Sequence, residues 1–550
     1  MNSFSVLIGG SAGYGIDRSS LILAHILNQL GYRLYIYRDY PSLIRGGHTF
    51  SIIRAAKERI NAHSNKVDFL LALNQDTFDS HAEKLNDKAI VLFDPDSVKA
   101  EGLDVPITKI IREEKAAEIT RNTCIIGAFC KAAGIGWEIL EKEIKANMPK
   151  ETEINLKVAR RGYDAVKELV KIDSLPQPAL PILSGNEALS LGLIKGGLKT
   201  YVGYPMTPSS TILHFMAEAA DEFSLKVVQP ESEIGVILMA LGFSYAGEKV
   251  AVGTSGGGFC LMTEGVSFSG MAELPLVIIV GQRTGPSTGL PTYTGQTELH
   301  FVLNAGQGEF PRFMVAPGDP EEAYYWATFA LNLAWKYQIP SFILTDKTMA
   351  EGGFNFDINS IQDIEEEPPL LWDRKQPYKR YQVTETGVSP LALVPDKDAV
   401  IKINSYEHDE AGITIENEKI TAMMQEKRQL KGPALAKELD QYETVKVYGK
   451  KSAPTAILCW GSNKGVCVEL SDKLGLKVIY PLVLSPFPVK QFQKALKGVK
   501  KLISVENNAT GQLIKLIKMH GFEVDEKIFK YDGRPFALDE LEERLKRVLK

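Results

Sequence analysis

The chain has few cysteines, and none of them form a known motif. The five cysteines stand at positions 124, 130, 260, 459 and 467, and no two have the CxxC spacing of a zinc ribbon or a ferredoxin-type cluster. We therefore expect neither a zinc ribbon nor a resident iron–sulfur cluster in this chain. A reaction that needs such a cluster would have to obtain it from another chain.

The sequence also lacks a large charge excess, and we expect no leader segment. Its 63 Lys and Arg against 68 Asp and Glu give a formal net charge of -5, which predicts no basic surface for nucleic acid. The N-terminal region has no basic segment, no cleavage site and no apolar stretch that is long enough to span a bilayer. We expect a cytoplasmic protein that binds neither nucleic acid nor a membrane.

The pattern of the first 175 residues is typical of a wound α/β domain. At 550 residues the chain is too long for one compact core. Proline recurs in Leu-Pro-Gln-Pro-Ala-Leu-Pro at 175–181, where neither a regular helix nor a central strand can form, and this marks a domain boundary. Before it, the pattern predicts a helix at 22–30 and strands at 5–8, 33–37, 69–73 and 89–93.

Two further α/β domains are predicted after this boundary. The second covers 184–365, and residues 366–450 form an extended linker with a helix from 418 to about 430. The third covers 451–550. The fold class is thus α/β and multidomain, with three wound α/β domains. Strands are predicted at 226–229, 249–253, 276–281, 313–316 and 341–345 in the second domain, and at 456–460, 477–483 and 501–505 in the third.

A glycine loop at 9–15 follows the first predicted strand and precedes a helix. Its amides and the helix N-terminus could hold an anion, and Arg45, in Arg45-Gly46-Gly47, adds a fixed cation. The spacing is GxxGxG rather than GxGxxG, which disfavours dinucleotide binding. The candidates for an anion site are Gly10, Gly13 and Arg45, and a tight turn without a ligand remains an alternative.

Four motifs in the second domain place small, hydroxylic or charged residues at strand ends. Taken alone, each has a structural explanation: a serine before 211–220 can cap a helix, and Glu231 and Glu233 suit a helix N-terminus. In an open parallel sheet, however, the carboxyl ends of the strands form the ligand crevice, so the motifs can converge on one site. They lie at 204–210, 229–235, 254–258 and 282–292.

In sequence and order, these motifs resemble the pyrimidine-binding domain of the alpha subunit of 2-oxoacid:ferredoxin oxidoreductases, particularly the 2-oxoglutarate type (2-oxoglutarate synthase). Residues 1–175 resemble the family's gamma subunit, which is fused ahead of alpha in many members. The linker and a transketolase C-terminal-like domain are indicated by the segments 378–381, 406–410, 511–513 and 531–536.

The resemblance implies a thiamine-diphosphate enzyme that oxidises a 2-oxoacid with coenzyme A to acyl-CoA, CO2 and reduced ferredoxin, in a reaction that can be reversible. Glu233 matches the catalytic glutamate that hydrogen-bonds the aminopyrimidine ring. Thr207 and Arg283 match residues that bind the substrate. The other cofactor-binding positions are Tyr204, Pro205, Ser255 and Gly256.

The resemblance also implies a partner subunit. The chain has no GDG followed by an asparagine at the spacing of the magnesium-diphosphate site; the nearest match is Tyr531-Asp532-Gly533, and we assign no metal ligand to this chain. A beta subunit would carry Mg2+, the diphosphate site and a [4Fe-4S] cluster, in a heterodimer or a dimer of heterodimers that is active only when assembled. Coenzyme A would use the N-terminal loop with Gly10, Gly13 and Arg45.

Three residues depart from the family pattern. Met206 stands where isoleucine is common, Gly257 where proline is common and Tyr293 where a basic residue is common. The last weakens the favoured 2-oxoglutarate preference, because a distal carboxylate favours a nearby cation, so pyruvate and branched-chain 2-oxoacids stay open. The alternatives are a coenzyme A ester ligase or transferase, for which we find no convincing histidine, and a non-catalytic regulatory subunit.

Overall fold

The computed structural model describes residues 3–42, 47–148 and 150–550. Its chain forms two compact units. The first comprises Met1–Leu183, Gly352–Asp357 and Phe536–Lys550, and the second comprises Ser184–Glu351 and Ile358–Pro535.

Helices and strands alternate along most of the chain. The first part contains β1 Ser3–Ser11, α1 Ile16–Gln29, β2 Arg33–Asp39, β3 His48–Ala56, β4 Val67–Ala72, α2 Gln75–His81, β5 Leu85–Phe93, β6 Leu103–Asp104, α3 Ile107–Glu114, α4 Arg121–Ala132, α5 Trp137–Asn147, α6 Thr152–Asp164 and β7 Ile182–Ser184. The middle part contains α7 Gly185–Lys195, β8 Thr200–Gly203, α8 Ser210–Glu218, α9 Ala220–Phe223, β9 Lys226–Val228, α10 Glu233–Tyr245, β10 Val250–Ser255, α11 Gly256–Ala272, β11 Leu276–Gln282, α12 Leu299–Asn304, β12 Phe313–Val315, α13 Pro320–Tyr337, β13 Pro340–Asp346, α14 Lys347–Glu351 and β14 Gly353–Asn355. The last part contains α15 Glu418–Leu439, β15 Val445–Gly449, β16 Thr455–Leu458, α16 Asn463–Leu474, β17 Lys477–Pro481, β18 Val483–Ser485, α17 Val489–Ala495, β19 Lys501–Glu506, α18 Gln512–Lys518, β20 Glu526–Phe529 and α19 Leu538–Leu549.

An eight-stranded mixed sheet organises the first unit, in the order β6-β5-β4-β1-β3-β2-β14-β7. β1 pairs parallel with β4 and antiparallel with β3. Its core is formed by apolar residues of these strands and of α1, α4, α5 and α6. α4 and α6 can approach closely because each has a glycine at the contact: a Cβ on Gly127 would lie 2.1 Å from the Ala159 carbonyl oxygen.

A seven-stranded sheet, in the order β18-β12-β13-β11-β10-β8-β9, lies at the centre of the second unit. β9, β8, β10, β11, β13 and β12 are parallel, and only β18 at one edge is antiparallel. β10 and β11 are buried along their whole length, which agrees with the apolar sequence of the first half of β10 and of most of β11. Because these six strands are parallel, their carboxyl ends lie at one edge of the sheet.

The second unit also contains a five-stranded sheet, in the order β15-β17-β16-β19-β20. Irregular chain from 361 to 417 leads to α15, which Asn417 caps through hydrogen bonds from two backbone amides. Buried Glu273 accepts hydrogen bonds from Lys427 of α15, at 2.8 Å to each carboxylate oxygen, and so fixes α15 against the end of α11. β18 extends the central sheet, so the last part of the chain also supports the edge of the second domain.

The structure confirms the predicted α/β class and the predicted strands with one exception. The predicted strand 477–483 is two strands, β17 in the five-stranded sheet and β18 in the seven-stranded sheet. It also contains strands that the pattern did not indicate, notably β3. The predicted helix that begins at 418 continues to Leu439 despite Pro433 in its interior.

Candidate active site

The four motifs identified in the second domain follow four adjacent parallel strands. The order β11-β10-β8-β9 places the segments after these strands side by side at one edge of the sheet. The loop 204–209 lies against the end of β11, since a Cβ on Gly281 would lie 2.9 Å from Cγ of Pro208. The residues predicted in these four motifs are thus brought to one edge of the sheet.

Glu233 is the first residue of α10 and is only 4% exposed. Its Oε1 atom is buried and has no hydrogen-bond partner among the described residues. A carboxylate oxygen in this state costs free energy unless a ligand or a proton satisfies it. Glu231, two residues earlier, is exposed. The two acids are therefore in different environments, and only Glu233 points to a binding function.

The start of α11 is made of three glycines, and two of them make room for carboxylates. A Cβ on Gly258 would lie 2.5 Å from Oε1 of Glu233 and 2.2 Å from Oγ1 of Thr254. A Cβ on Gly256 would lie 2.7 Å from Oε1 of Glu298. Hence both carboxyl groups lie against the first turn of α11, where the helix dipole favours negative charge.

Buried Ser255, just before these glycines, leaves its Oγ atom without a partner in the described part of the chain. Gly257, between the two crowded glycines, is exposed, and a Cβ there would approach nothing closer than 3.8 Å. The site thus combines polar atoms that lack hydrogen-bond partners with glycine backbone that no side chain covers. A planar ring with polar edges could bind to such a surface.

Arg283 follows β11 and is 7% exposed. Its Nη1 donates a hydrogen bond of 2.8 Å to the backbone carbonyl of Thr207, so the two predicted substrate-binding residues are in direct contact. Burial lowers the pKa of the Arg283 guanidinium, while the nearby charge of Glu298 raises it. Among the described residues, Glu298 is the one carboxylate whose charge noticeably affects Arg283, which leaves this cation available to a bound anion.

Glu298 was not predicted from the sequence. It is 9% exposed, its Oε2 is buried without a partner among the described residues, and its Oε1 lies 2.6 Å from the hydroxyl of Thr297. Burial raises the pKa of Glu298 to about 7, against the smaller opposing effects of Thr297 and Arg283. The tertiary contact with Gly256 and the unpartnered Oε2 distinguish this residue from an ordinary acid at a helix start.

Residues distant in sequence hold the site loops in place. The side chain of buried Asn186 donates hydrogen bonds to the carbonyl of Pro208, at 2.8 Å, and to the hydroxyl of Thr211, at 2.7 Å. Gln296, at the end of the 283–298 loop, donates to the carbonyl of Trp460 at 2.8 Å and accepts from Asn463 at 2.8 Å. The segment that follows β16 of the five-stranded sheet therefore supports the site.

The remaining predicted positions lie at the surface of the loops. Tyr204 is 36% exposed and Pro205 is also exposed. At the far end of the 283–298 loop, the guanidinium of Arg534 lies 3.8 Å from the ring centroid of Tyr293, and the amide of Thr294 donates to the carbonyl of Gly533. The segment 531–534 thus packs on the site loop.

The candidate anion site of the first unit is described only in part. Gly13 has φ of +90° and open space around it, whereas Arg45 lies outside the described residues. Nearby, His48 and His81 have their Nε2 atoms 2.9 Å apart. Burial lowers the pKa of both histidines, that of His81 to about 3, so this pair brings no positive charge to an anion at neutral pH.

The described residues offer neither a cluster of metal ligands nor a membrane-spanning helix. No group of three or more His, Cys, Asp or Glu side chains there could hold a metal ion. No helix in the same ranges is long and apolar enough to cross a membrane.

Comparison with known proteins identifies the family. Residues 191–427 match the family "Pyruvate flavodoxin/ferredoxin oxidoreductase, thiamine diP-bdg", and residues 5–165 match "Pyruvate ferredoxin/flavodoxin oxidoreductase". The 2-oxoacid:ferredoxin oxidoreductase subunit alpha of Saccharolobus solfataricus is 31% identical over 99% of this chain and 98% of its own length. The 2-oxoglutarate oxidoreductase subunit KorA of Mycobacterium tuberculosis is 29% identical over 74% of this chain and 64% of its own.

A solved structure agrees with these sequence matches. The 2-oxoglutarate:ferredoxin oxidoreductase of Magnetococcus marinus, with 2-oxoglutarate, coenzyme A and succinyl-CoA bound, superposes with a TM-score of 0.90 at 27% identity and covers 100% of both chains. The ligase and transferase alternatives receive no support from these matches. The chain belongs to the alpha subunits of the 2-oxoacid:ferredoxin oxidoreductases, and it is a subunit of an enzyme that oxidises a 2-oxoacid with ferredoxin as the electron acceptor.

Proposed function

We propose that this chain supplies the pyrimidine-side half of a thiamine-diphosphate active site, with Glu233 as the catalytic carboxylate and with Arg283 and Thr207 as the substrate-binding residues. The single observation that carries this proposal is the buried, unpartnered Oε1 of Glu233 at the start of α10. A protein keeps such an oxygen at a functional site where a ligand completes its hydrogen bonding.

The residues around Glu233 fit the aminopyrimidine end of the cofactor. A planar ring with polar edges needs an acceptor such as Glu233 Oε1, further polar atoms such as Ser255 Oγ, and backbone without side chains at Gly256 and Gly257. Tyr204 and Pro205 would complete its surroundings. When bound, thiamine diphosphate supplies the nucleophilic carbon and takes up the electrons released by decarboxylation. Glu233 would share a proton with a ring nitrogen and so fix the protonation state of the pyrimidine.

Arg283 would bind the carboxylate of the 2-oxoacid. Its guanidinium is buried and held by the carbonyl of Thr207, so its orientation is fixed before a substrate binds. A fixed guanidinium offers two parallel donors to a carboxylate, which an ammonium group cannot reproduce. The Thr207 hydroxyl, on the same loop, would help to orient the substrate's carbonyl group.

A beta subunit would complete the site with Mg2+, the diphosphate and a [4Fe-4S] cluster, in a heterodimer or a dimer of heterodimers. Electrons pass to ferredoxin one at a time, which calls for a cluster. In this chain, burial raises the pKa of the Cys124 thiol to about 12, as expected of a core thiol rather than a metal ligand. Exposed apolar side chains on α10, α11 and α12 offer a surface for the partner, namely Ile234, Leu238, Met239, Leu261 and Phe301.

We infer that 2-oxoglutarate is the favoured substrate, with coenzyme A bound through the first unit. The cation that the family often has at position 293 is absent, but Arg534 places a guanidinium over the Tyr293 ring. A distal carboxylate could use this charge. For coenzyme A, the open loop at Gly13 and the positive charge of Arg45 suit phosphate groups. A cytoplasmic location remains a prediction.

The experiment that tests this function is purification of the chain alone and together with its partner subunit. We expect the single chain to be colourless and inactive, and the pair to reduce a viologen dye with a 2-oxoacid and coenzyme A. Assays with 2-oxoglutarate, pyruvate and a branched-chain 2-oxoacid then rank the substrates. Brown colour or dye reduction by the single chain, with no second polypeptide by mass spectrometry, would contradict this division of labour.

The substitution Arg283→Lys tests the substrate site within this complex. We expect a higher KM for the 2-oxoacid with little change in thiamine-diphosphate affinity, because the ammonium loses the two-pronged contact with the carboxylate. Unaltered kinetics toward every 2-oxoacid would remove Arg283 from the site.

A further inference from the structure

The hydroxyl of Thr297 lies within hydrogen-bond distance of two acceptors. Its Oγ1 atom is 2.6 Å from Oε1 of Glu298 and 3.2 Å from the backbone carbonyl oxygen of Arg283. A hydroxyl has one proton to donate, so it cannot donate to both oxygens at once. With Glu298 ionised, one of the two contacts would join two oxygens with no proton between them.

A proton on Oε1 of Glu298 removes this conflict. The carboxylic acid then donates to Thr297 Oγ1, and Thr297 donates to the Arg283 carbonyl. The Oε2 atom, which is buried without a partner among the described residues, becomes a neutral carbonyl oxygen. A neutral oxygen is far cheaper to bury unpaired than an anionic one. The geometry therefore favours the neutral acid, and it is consistent with the burial that raises the pKa of Glu298 to about 7.

The same residues are tied to Arg283 by a second connection. The backbone amide of Glu298 donates a hydrogen bond of 3.1 Å to Oε1 of Gln282, the residue just before Arg283. The other end of the Gln282 side chain donates to the carbonyl of Thr345 at 3.1 Å and so fixes Gln282 to β13. Residues 297 and 298 thus hold the end of β11 from which the Arg283 guanidinium extends.

We propose that Glu298 is a positioning residue for the substrate arginine, held as a neutral carboxylic acid that donates a hydrogen bond to the Thr297 hydroxyl, which in turn donates to the Arg283 carbonyl. Ionisation of Glu298 would break this chain of hydrogen bonds and place a negative charge near Arg283. Both effects weaken the binding of a 2-oxoacid carboxylate. The inference rests on the proposed role of Arg283.

Few charged groups surround Glu298. Arg283 faces it from the end of β11, Glu233 lies across the first turn of α11, and His300 follows on α12. The His300 ring interacts through Nε2 with the carbonyl of Gln512 at 2.9 Å. The contact on α11 itself is glycine 256, which does not titrate. A change in Glu298 charge is therefore felt mainly at Arg283.

The test uses the assembled enzyme and follows KM and kcat for the 2-oxoacid from pH 6 to pH 8.5. We expect the wild-type KM to rise with pH by about 2- to 10-fold, the range for loss of one neutral hydrogen bond, with a smaller change in kcat. Glu298→Gln should keep the wild-type KM at pH 6 and lose this rise, because its amide still donates to Thr297. Thr297→Val should raise KM at every pH, and Thr297→Ser should restore it.

A second readout is independent of activity. The infrared spectrum of the purified chain at pH 6 should contain the carbonyl stretch of protonated buried carboxyl groups, and Glu298→Gln should lower the intensity of this band by one group. Glu218→Gln, a change of an exposed carboxylate on α8, is the matched control and should leave the intensity unchanged. The proposal is overturned if Glu298→Gln retains the wild-type pH dependence of KM, or if the infrared band keeps its full intensity in that variant. Failure of the proposed function would appear separately, as normal 2-oxoacid use by Arg283→Lys.

Discussion

The two adjacent glycines at the start of α11 provide the sharpest test of the site geometry. At Gly258 an alanine Cβ would lie 2.2 Å from Thr254 Oγ1 and 2.5 Å from Glu233 Oε1, both closer than real Cβ atoms approach oxygen. At Gly257 the nearest atom would be 3.8 Å away. Neither glycine has positive φ, so the backbone itself accepts alanine at both positions. The comparison therefore isolates the steric effect on Glu233.

The two variants should differ in both stability and activity. Overpacking costs about 1–3 kcal/mol, and the better helix propensity of alanine offsets up to about 1 kcal/mol of it at Gly258. Gly257→Ala should raise the free energy of unfolding by a few tenths of a kcal/mol up to about 1 kcal/mol, because no steric clash opposes the better helix propensity of alanine there. Because the Gly258→Ala methyl group displaces the Glu233 carboxylate, we expect turnover to fall on the order of 100-fold in that variant alone.

The assay is thermal unfolding of each purified chain, together with thiamine-diphosphate titration and dye reduction in the assembled enzyme. The reasoning is refuted if Gly258→Ala binds thiamine diphosphate and turns over like the wild type. It is equally refuted if Gly257→Ala and Gly258→Ala lose activity to the same extent, since only one of them contacts Glu233.

Three further predictions follow from other parts of the chain. Because the folded-state pKa of Glu298 is raised from 4.5 to about 7, the stability that this residue contributes falls as pH rises through that window. Parallel denaturation should find Glu298→Gln more stable than wild type by about 3 kcal/mol at pH 8 and no different at pH 4. Equal stability of variant and wild type at both pH values would contradict the burial argument. Arg534→Ala should raise KM on the order of tenfold for 2-oxoglutarate and little for pyruvate, and equal losses for both would refute a contact with the distal carboxylate. Gly13→Leu should weaken coenzyme A use in steady-state assays, whereas Gly13→Asn, which tolerates the left-handed backbone better, should do so less; unchanged KM for coenzyme A in both would exclude the loop.

The sequence was sufficient for the parts of the fold that depend on local patterns. A strand such as β11 is a nearly continuous apolar run, and its short length and the glycine near its end distinguish it from a helix. β3 was missed because its N-terminal half, His-Thr-Phe-Ser, is only partly buried and has no clear period. Its position depends on antiparallel pairing with β1 and β2, and local sequence does not encode such long-range pairing.

In the site, too, some residues could be predicted from local sequence and others depend on long-range contacts. Thr207 and Arg283 follow strand ends, so the sheet rule could bring them together, and the structure confirms their contact. Glu298 could not be predicted, because an acid just before a short helix usually serves only as a favourable charge at its N-terminus. What makes it unusual is its contact with Gly256, 42 residues away, and the unpartnered state of its Oε2. A run of glycines and a single acid far away in the sequence do not predict a contact between them.

The central claim, that Glu233 is the carboxylate on which catalysis depends, is tested most directly by comparing Glu233→Gln with Glu231→Gln in the assembled enzyme. Both substitutions remove one negative charge near the start of α10, but Glu233 is buried with an unpartnered oxygen while Glu231 is exposed. We expect 2-oxoacid-dependent dye reduction to slow by roughly 10²- to 10⁴-fold in Glu233→Gln and by much less in Glu231→Gln, with both chains folded. Normal turnover in Glu233→Gln, or equal losses in the two variants, would contradict the account.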